Sequence, residues 1–442
     1  MEEKLYKLVT DDEDARLCKD ITDEACEVVP KNFGKQVIAS VCSKTGDQLS
    51  KPGLILTWLL SALGAPTAAI GLLAPIREAF ALLPQMIVGG VIRQYPIRKG
   101  FWVVGSVIQG AAMGAMGIAA LTLTGAPAGW TIVGLLLVFS LARGICSIAG
   151  KDLLGKTIPK TRRGRLGGLA SSLAGWIAVG VGLFFVLNPA RHLPVGWFAG
   201  LLFAAAVLWI LAALVMATLI EKPGATSGGA NAFKEAIASL HFLRDDPVFL
   251  RFCIARALLA STILSMPFYV VLAHAATGGK VASLGLLMVA GSLATALSGV
   301  TWGRLADSSS RRTLAVAGLA AGLIGCLTAG LAGIELGKTG ALWLFGGLFF
   351  LIGLAHTGIR VGRKTYLVDH ADAGNRARLV AVSNTLMGLV LLLSGSFGLL
   401  ADAIGPRLVI LVFAALGIAG AIMAFTLPEA GEDKKSTHSG NA

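Results

Sequence analysis

Lys44, Asp47 and Lys51 stand three and four residues apart, a spacing that stacks side chains on one face of a helix, and Arg77 and Glu78 sit side by side inside the apolar run LLAPIREAFALLPQ (72–85). Ionisable groups surrounded by apolar sequence are costly to bury, so each is a functional candidate. Asp47 and Glu78, compensated by Lys44, Lys51 and Arg77 beside a central cavity, would form a network able to hold a charged solute or a proton. The competing reading is that these charges only brace two helices. Further along, Arg143 is repeated 213 residues later by His356, which is followed one helical turn on by Arg360. Arg256 is expected to snorkel to a membrane surface, while Asn384, Gln109 and Tyr269 can supply neutral hydrogen bonds or pack helices together. Lys44, Lys51, Arg77, Arg143 and Arg256 are five cations against the carboxylates of Asp47 and Glu78. That surplus favours an anionic or carboxylate-bearing solute, and a carboxylate among such neighbours is suited to proton coupling.

The elements that must position these groups are membrane helices. Of 442 residues, 55% are hydrophobic and 14% charged, with 56 Gly and a mean hydropathy of +0.75, far from soluble composition. A hydrocarbon layer about 30 Å thick takes roughly 20 apolar residues per helix, and such stretches follow one another from residue 50 to 427. Unpaired backbone groups cannot face lipid, so an all-α polytopic fold follows. The net charge of +13 is explained by basic loops on one side of the membrane rather than by nucleic acid. The polar, acidic N-terminus is unlike a secretory signal, and the six Cys have no metal-ligand spacing and read as reduced thiols.

A gapless shift of 213 residues brings Gly90 onto Gly303, Arg98 onto Arg311, Trp130 onto Trp343, Lys151 onto Lys364, Arg163 onto Arg376 and Gly175 onto Gly388. The chain therefore reads as two halves of one design. Hydropathy alone leaves only Ala79 to Ile92 for a second helix, 14 residues or about 21 Å, too short to span. Matching LSKPG (49–53) to LSMPF (264–268) instead places the first helix over about 35–63, an outer turn at 64–66 and the second helix over about 67–92. Arg77 and Glu78 then lie near mid-membrane. The other ten are expected at 101–123, 131–152, 166–187, 195–220, 250–274, 281–303, 313–334, 341–361, 379–401 and 407–427. The domain reading is an acidic cytoplasmic tail (1–34), a six-helix half (35–220), a central loop (221–249), a second six-helix half (250–427) and a C-terminal tail (428–442). Loops on one side carry 21 Lys or Arg and those on the other carry four, which puts both termini in the cytoplasm of a cell inner membrane.

GRLADSSSRR (303–312) resembles the cytoplasmic signature of the major facilitator superfamily, and the twelve helices in two pseudo-repeats are similar to that family throughout. The resemblance implies a conformational role for Gly303, Asp307, Arg311 and Arg312, Gly303 allowing close helix approach and Asp307 with Arg311 forming a charge network. It also implies that helices 1, 4, 7 and 10 line the path, so that Arg143 and His356 face each other across it. Ser308 and Ser310 depart from the pattern, and the first-half copy GVIRQYPIRK (90–99) departs more, with Gln94 in place of the Asp.

GKDLLGKT (150–157) fits a phosphate-binding loop but lies at a helix end with no strand near it, so no nucleotide is expected. No Ser-His-Asp or Cys-His arrangement points to an enzyme, and no cofactor or metal is implied. Residues 1–30 hold ten acidic and four basic residues, a solvated tail, whereas Phe233, Ala236, Ile237, Leu240 and Leu243 form the apolar face of a short interfacial helix. The reading is a secondary transporter of a small anionic organic solute, proton-coupled, a monomer with membrane lipid, solute and protons as its partners. A non-transporting sensor or assembly factor and a multidrug exporter are the alternatives.

Overall fold

The computed structural model is helical throughout the residues it describes, which are 27–83, 88, 91–92, 94–187, 194–223, 241–334, 336–370 and 376–429. Helix α1 (Val29–Leu49) is followed by a π-helical turn (Pro52–Leu56) and α2 (Thr57–Ala62), then α3 (Thr67–Leu82), α4 (Lys99–Thr122), α5 (Gly125–Thr157), α6 (Lys160–Leu187) and α7 (Val195–Ala217). After a short α8 (Phe242–Asp245) come α9 (Pro247–Leu259), α10 (Ser261–Thr277), α11 (Val281–Ser308), α12 (Ser310–Leu331), α13 (Gly337–His370), α14 (Arg376–Leu393), α15 (Phe397–Ile404) and α16 (Pro406–Phe425). Ten spans among the described residues are long and apolar enough to cross a membrane, counting α9 with α10 and α14 with α15 as one each. Helices α1 and α3 are not among them: α1 carries Lys31, Lys35, Lys44 and Asp47, and α3 is 16 residues long.

Residues 1–26 of the acidic tail (1–34) and the central-loop positions Phe233, Ala236, Ile237 and Leu240 lie outside the described residues. Helix α1 starts at Val29, six residues earlier than expected, and it is not continuous to residue 63. It stops where Lys51 takes φ −54° and ψ 114° ahead of Pro52, because a proline displaces its predecessor from the helical region and brings no N–H of its own. Arg77 and Glu78 lie within α3, and Gly64 turns the chain before it with φ +71°. The segment 150–157 is helical to its end at Thr157.

Helix α4 packs against α5 and α7, and α3 against α5; α12 packs against α13 and α16, and α11 against α13. These two sets are joined by α6 on α11 and by α3 on α10, α14 and α15. The joints are closest on the side away from the basic loops, and glycine makes them. A Cβ at Gly71 would fall 2.4 Å from Gly398 Cα, and one at Gly285 would fall 2.5 Å from Gly182 O. The backbone amide of Ala68 also donates to Asp402 Oδ2 at 3.0 Å, tying α3 to α15.

On the basic side, each set ends in a carboxylate clamp. Glu221, fully buried, accepts from Arg98 N and Lys99 N and pairs with Lys156 Nζ at 2.6 Å, while Arg98 pairs with Asp152 at 2.5 Å. Glu429 pairs with Arg311 at 2.9 Å and accepts from Ser309 Oγ, but its side chain is 26% exposed. Glu221→Ala is therefore expected to cost about 3 kcal/mol, since it leaves buried donors unmatched. Glu429→Ala should cost about 1 kcal/mol or less. Thermal melting of the two variants checks the contrast, and equal shifts would refute it.

Candidate functional site

Two adjoining cavities run from the middle of the molecule to the side that carries the basic loops. The deeper one, about 410 Å³, is lined by Asp47, Lys51, Arg77, Glu78, His356, Arg360 and Arg363 among others. The second, about 490 Å³, shares Glu78, Ile263, His356, Arg360 and Arg363 and adds Lys151, Arg256, Lys364 and Asn384 towards the basic side. These volumes suit a small organic solute.

Asp47 is held by two guanidinium groups, Arg77 Nη2 at 3.1 Å and Arg143 Nη2. Each arginine lies over an aromatic ring, Arg77 over Phe139 at 5.2 Å and Arg143 over Trp209 at 5.3 Å, which adds a cation–π contribution. Gly46 lets that indole in: a Cβ there would come within 2.9 Å of Trp209 Nε1. Asp47 and Arg77 face the cavity, while Arg143 is not among its lining residues. The expected confrontation of Arg143 with His356 across the path does not occur, because Arg143 turns to Asp47 and Trp209.

Lys44 does not join the network either. Its Nζ donates to Gly167 O at 3.0 Å and Ser171 Oγ at 2.5 Å, tying α1 to α6. Lys51 is likewise not stacked above Asp47 on an unbroken helix; the break at Pro52 places it on the cavity wall. Glu78 is not compensated by an ion pair, and neither are Lys51, Arg360 and Arg363 among the described residues. Arg256 does not snorkel. It is buried, with Nη1 to Ser383 Oγ at 2.5 Å and Nη2 to Asn384 Oδ1 at 2.9 Å.

Gln109 and Tyr269 belong to packing: Gln109 is buried against Gly105 O and Cys146, and Tyr269 borders a cavity of only about 10 Å³. The signature segment also differs from expectation. Nothing lies within 4 Å of a Cβ at Gly303, so no close approach depends on it. Arg311 takes Glu429 rather than Asp307, Arg312 lies 3.9 Å from the same carboxylate, and Asp307 is exposed.

Sequence reasoning overlooks Arg363, Lys151, Lys364, Glu221 and Glu429. Arg363 lies three residues after Arg360 on one helical face, and Lys151 and Lys364 are repeat-matched, so those three carry a signal. The two glutamates each close a set from just past its last helix, a contact of long sequence separation that no local pattern marks.

A sequence profile described as Major Facilitator Superfamily matches residues 263–441. No curated protein matches the chain. Among solved structures, the chain is similar to a mutant of the nucleoside transporter NupG (TM-score 0.69, 14% identity, covering 89% of this chain and 99% of that one). It is also similar to the inward-open xylose transporter XylE from E. coli (TM-score 0.63, 13% identity, 91% and 97% covered). A D-xylose-proton symporter is similar too (TM-score 0.60, 15% identity, 92% and 98% covered).

Proposed function

We propose that this chain, a member of the major facilitator superfamily, is a secondary transporter that moves a small organic anion, with protons as the coupling ion. In this reading it crosses the membrane twelve times as two six-helix halves with both termini cytoplasmic, and the halves rock about the central cavity. The observation that carries the reading is the cavity's charge. Seven cations (Lys51, Arg77, Lys151, Arg256, Arg360, Arg363 and Lys364) line the two compartments against Asp47 and Glu78. A neutral solute would leave that surplus uncompensated in a low-dielectric setting, where Coulomb energies are several times those in water.

The halves meet through glycines on one side and leave the cavity open on the other, an inward-facing arrangement if the basic loops are cytoplasmic. Asp47 is matched by its two arginines and holds the first half's network. Glu78, facing the cavity without an ion pair, is the group we assign to the proton. The likeness to a D-xylose-proton symporter supports asking for proton coupling without identifying the solute. A non-transporting sensor would have no need of so large a charged cavity open to one side.

Proteoliposomes holding the purified protein should accumulate organic anions, but not cationic dyes, under an inward proton gradient. Glu78→Gln should abolish accumulation driven by the gradient while solute exchange at equal pH persists. Anion uptake indifferent to pH in the native protein would remove the coupling, and absence of anion flux in correctly inserted protein would remove the function.

A further inference from the structure

We infer that the solute carries two negative charges, one at each end, bound between Lys51 on the α1 side and the Arg360–Arg363 pair on α13; the inference rests on the transport reading above. The deeper compartment is lined by four cations, Lys51, Arg77, Arg360 and Arg363, and by two carboxylates, Asp47 and Glu78. The surplus within that compartment is two positive charges with both carboxylates ionised and three once Glu78 takes the proton, so a dianion comes closer to neutralising it than a monoanion in either state.

Placement gives the second half of the argument. Arg77 is taken by Asp47. Lys51 has no carboxylate partner among the described residues, and it lines one cavity with Arg360, the two coming from different helices of the two sets. Arg360 and Arg363 lie three residues apart on α13, and both border the shared zone of the two cavities together with Glu78. Like charges on facing walls repel, and a ligand with an anionic group at each end turns that repulsion into attraction on both walls. A dicarboxylate has this shape. In a phosphomonoester both charges sit on one group and reach one wall. Binding a two-ended dianion would also draw α1 and α13 together, the direction in which the open side must close.

The test uses the full-length detergent-purified protein and four probes of one carbon skeleton: succinate, succinamate, succinamide and butyrate, with glycerol 3-phosphate as a fifth. Binding is read by calorimetry and checked by counterflow in proteoliposomes. Succinate is expected to bind at least about tenfold more tightly than succinamate or butyrate, the factor that one charge-assisted contact supplies. Lys51→Met and Arg360→Gln should each erase that margin while leaving succinamate affinity within about threefold. The comparison in the native protein stands even where a variant fails to fold. Equal binding of succinate and succinamate would overturn the inference and leave anion transport standing. Preference for glycerol 3-phosphate over succinate would overturn the two-ended arrangement. Failure of every anion to bind or move would overturn the transport reading as well.

Discussion

Asp47→Ala should unfold or silence the protein. Two guanidinium groups, Arg77 and Arg143, share this carboxylate, and their side chains are only 16% and 27% exposed. Removing the acid leaves two like charges facing each other in a largely buried setting, an expected loss of about 3 kcal/mol or more. The measurement is the thermal midpoint in detergent together with anion uptake at matched insertion. A double-mutant cycle with Arg77→Gln separates the causes: if stranded arginines are the defect, Asp47→Ala with Arg77→Gln should be more stable than Asp47→Ala alone. A variant at Asp47 that melts and transports like the native protein would show that the network is ornamental.

The second large effect concerns the seam away from the basic loops. Gly71 and Gly398 approach so closely that a Cβ on Gly71 would reach 2.4 Å from Gly398 Cα. Gly71→Val forces the backbones apart, and overpacking of this kind costs about 1–3 kcal/mol. That cost falls on the state in which the seam is shut, so the population should move towards the opposite opening by about tenfold to a hundredfold. Transport should fall, and thiol-specific labelling of a cysteine placed at Leu72 should rise from the side opposite the basic loops. Unchanged labelling with normal transport would mean that the seam does not gate. Gly134→Ala, in α5 with open space where the Cβ would go and no positive φ, serves as a control for general loss of glycine.

Much of the site is legible from simple arithmetic. A 14-residue remnant cannot cross a membrane, which forces Arg77 and Glu78 into a helix, and α3 holds both. The excess of cations over carboxylates is also legible, yet the members change. Arg360 stays, while Lys44 and Arg143 are replaced at the cavity by Arg363, Lys151 and Lys364, because helix rotation, set by packing, decides which face meets the path. Lys44 turns to Ser171 and Arg143 to Trp209, neighbours supplied by α6 and α7. The break at Lys51–Pro52 was open to reading from the proline itself, and matching it to Pro267 misleads, since Pro267 lies inside an intact α10 while the second-half interruption falls at Ala260, between α9 and α10. Partnerships across 118 or 120 residues, such as Arg311 and Ser309 with Glu429, have no local trace.

At the π-turn, the Lys51 carbonyl receives three amides at once, from Leu54 at 3.1 Å, Ile55 at 2.8 Å and Leu56 at 3.4 Å. Three successive donors thus converge on one acceptor. A change of winding here would leave at least one of the three amides on that carbonyl, so this turn can twist at a lower cost in backbone hydrogen bonds than a regular helical turn. Lys51 is the residue at that turn and also one of the cations on the cavity wall. In the proposed cycle, an anion drawn to its ammonium group would therefore pull on the first helix at the turn where backbone hydrogen bonds are shared rather than fixed.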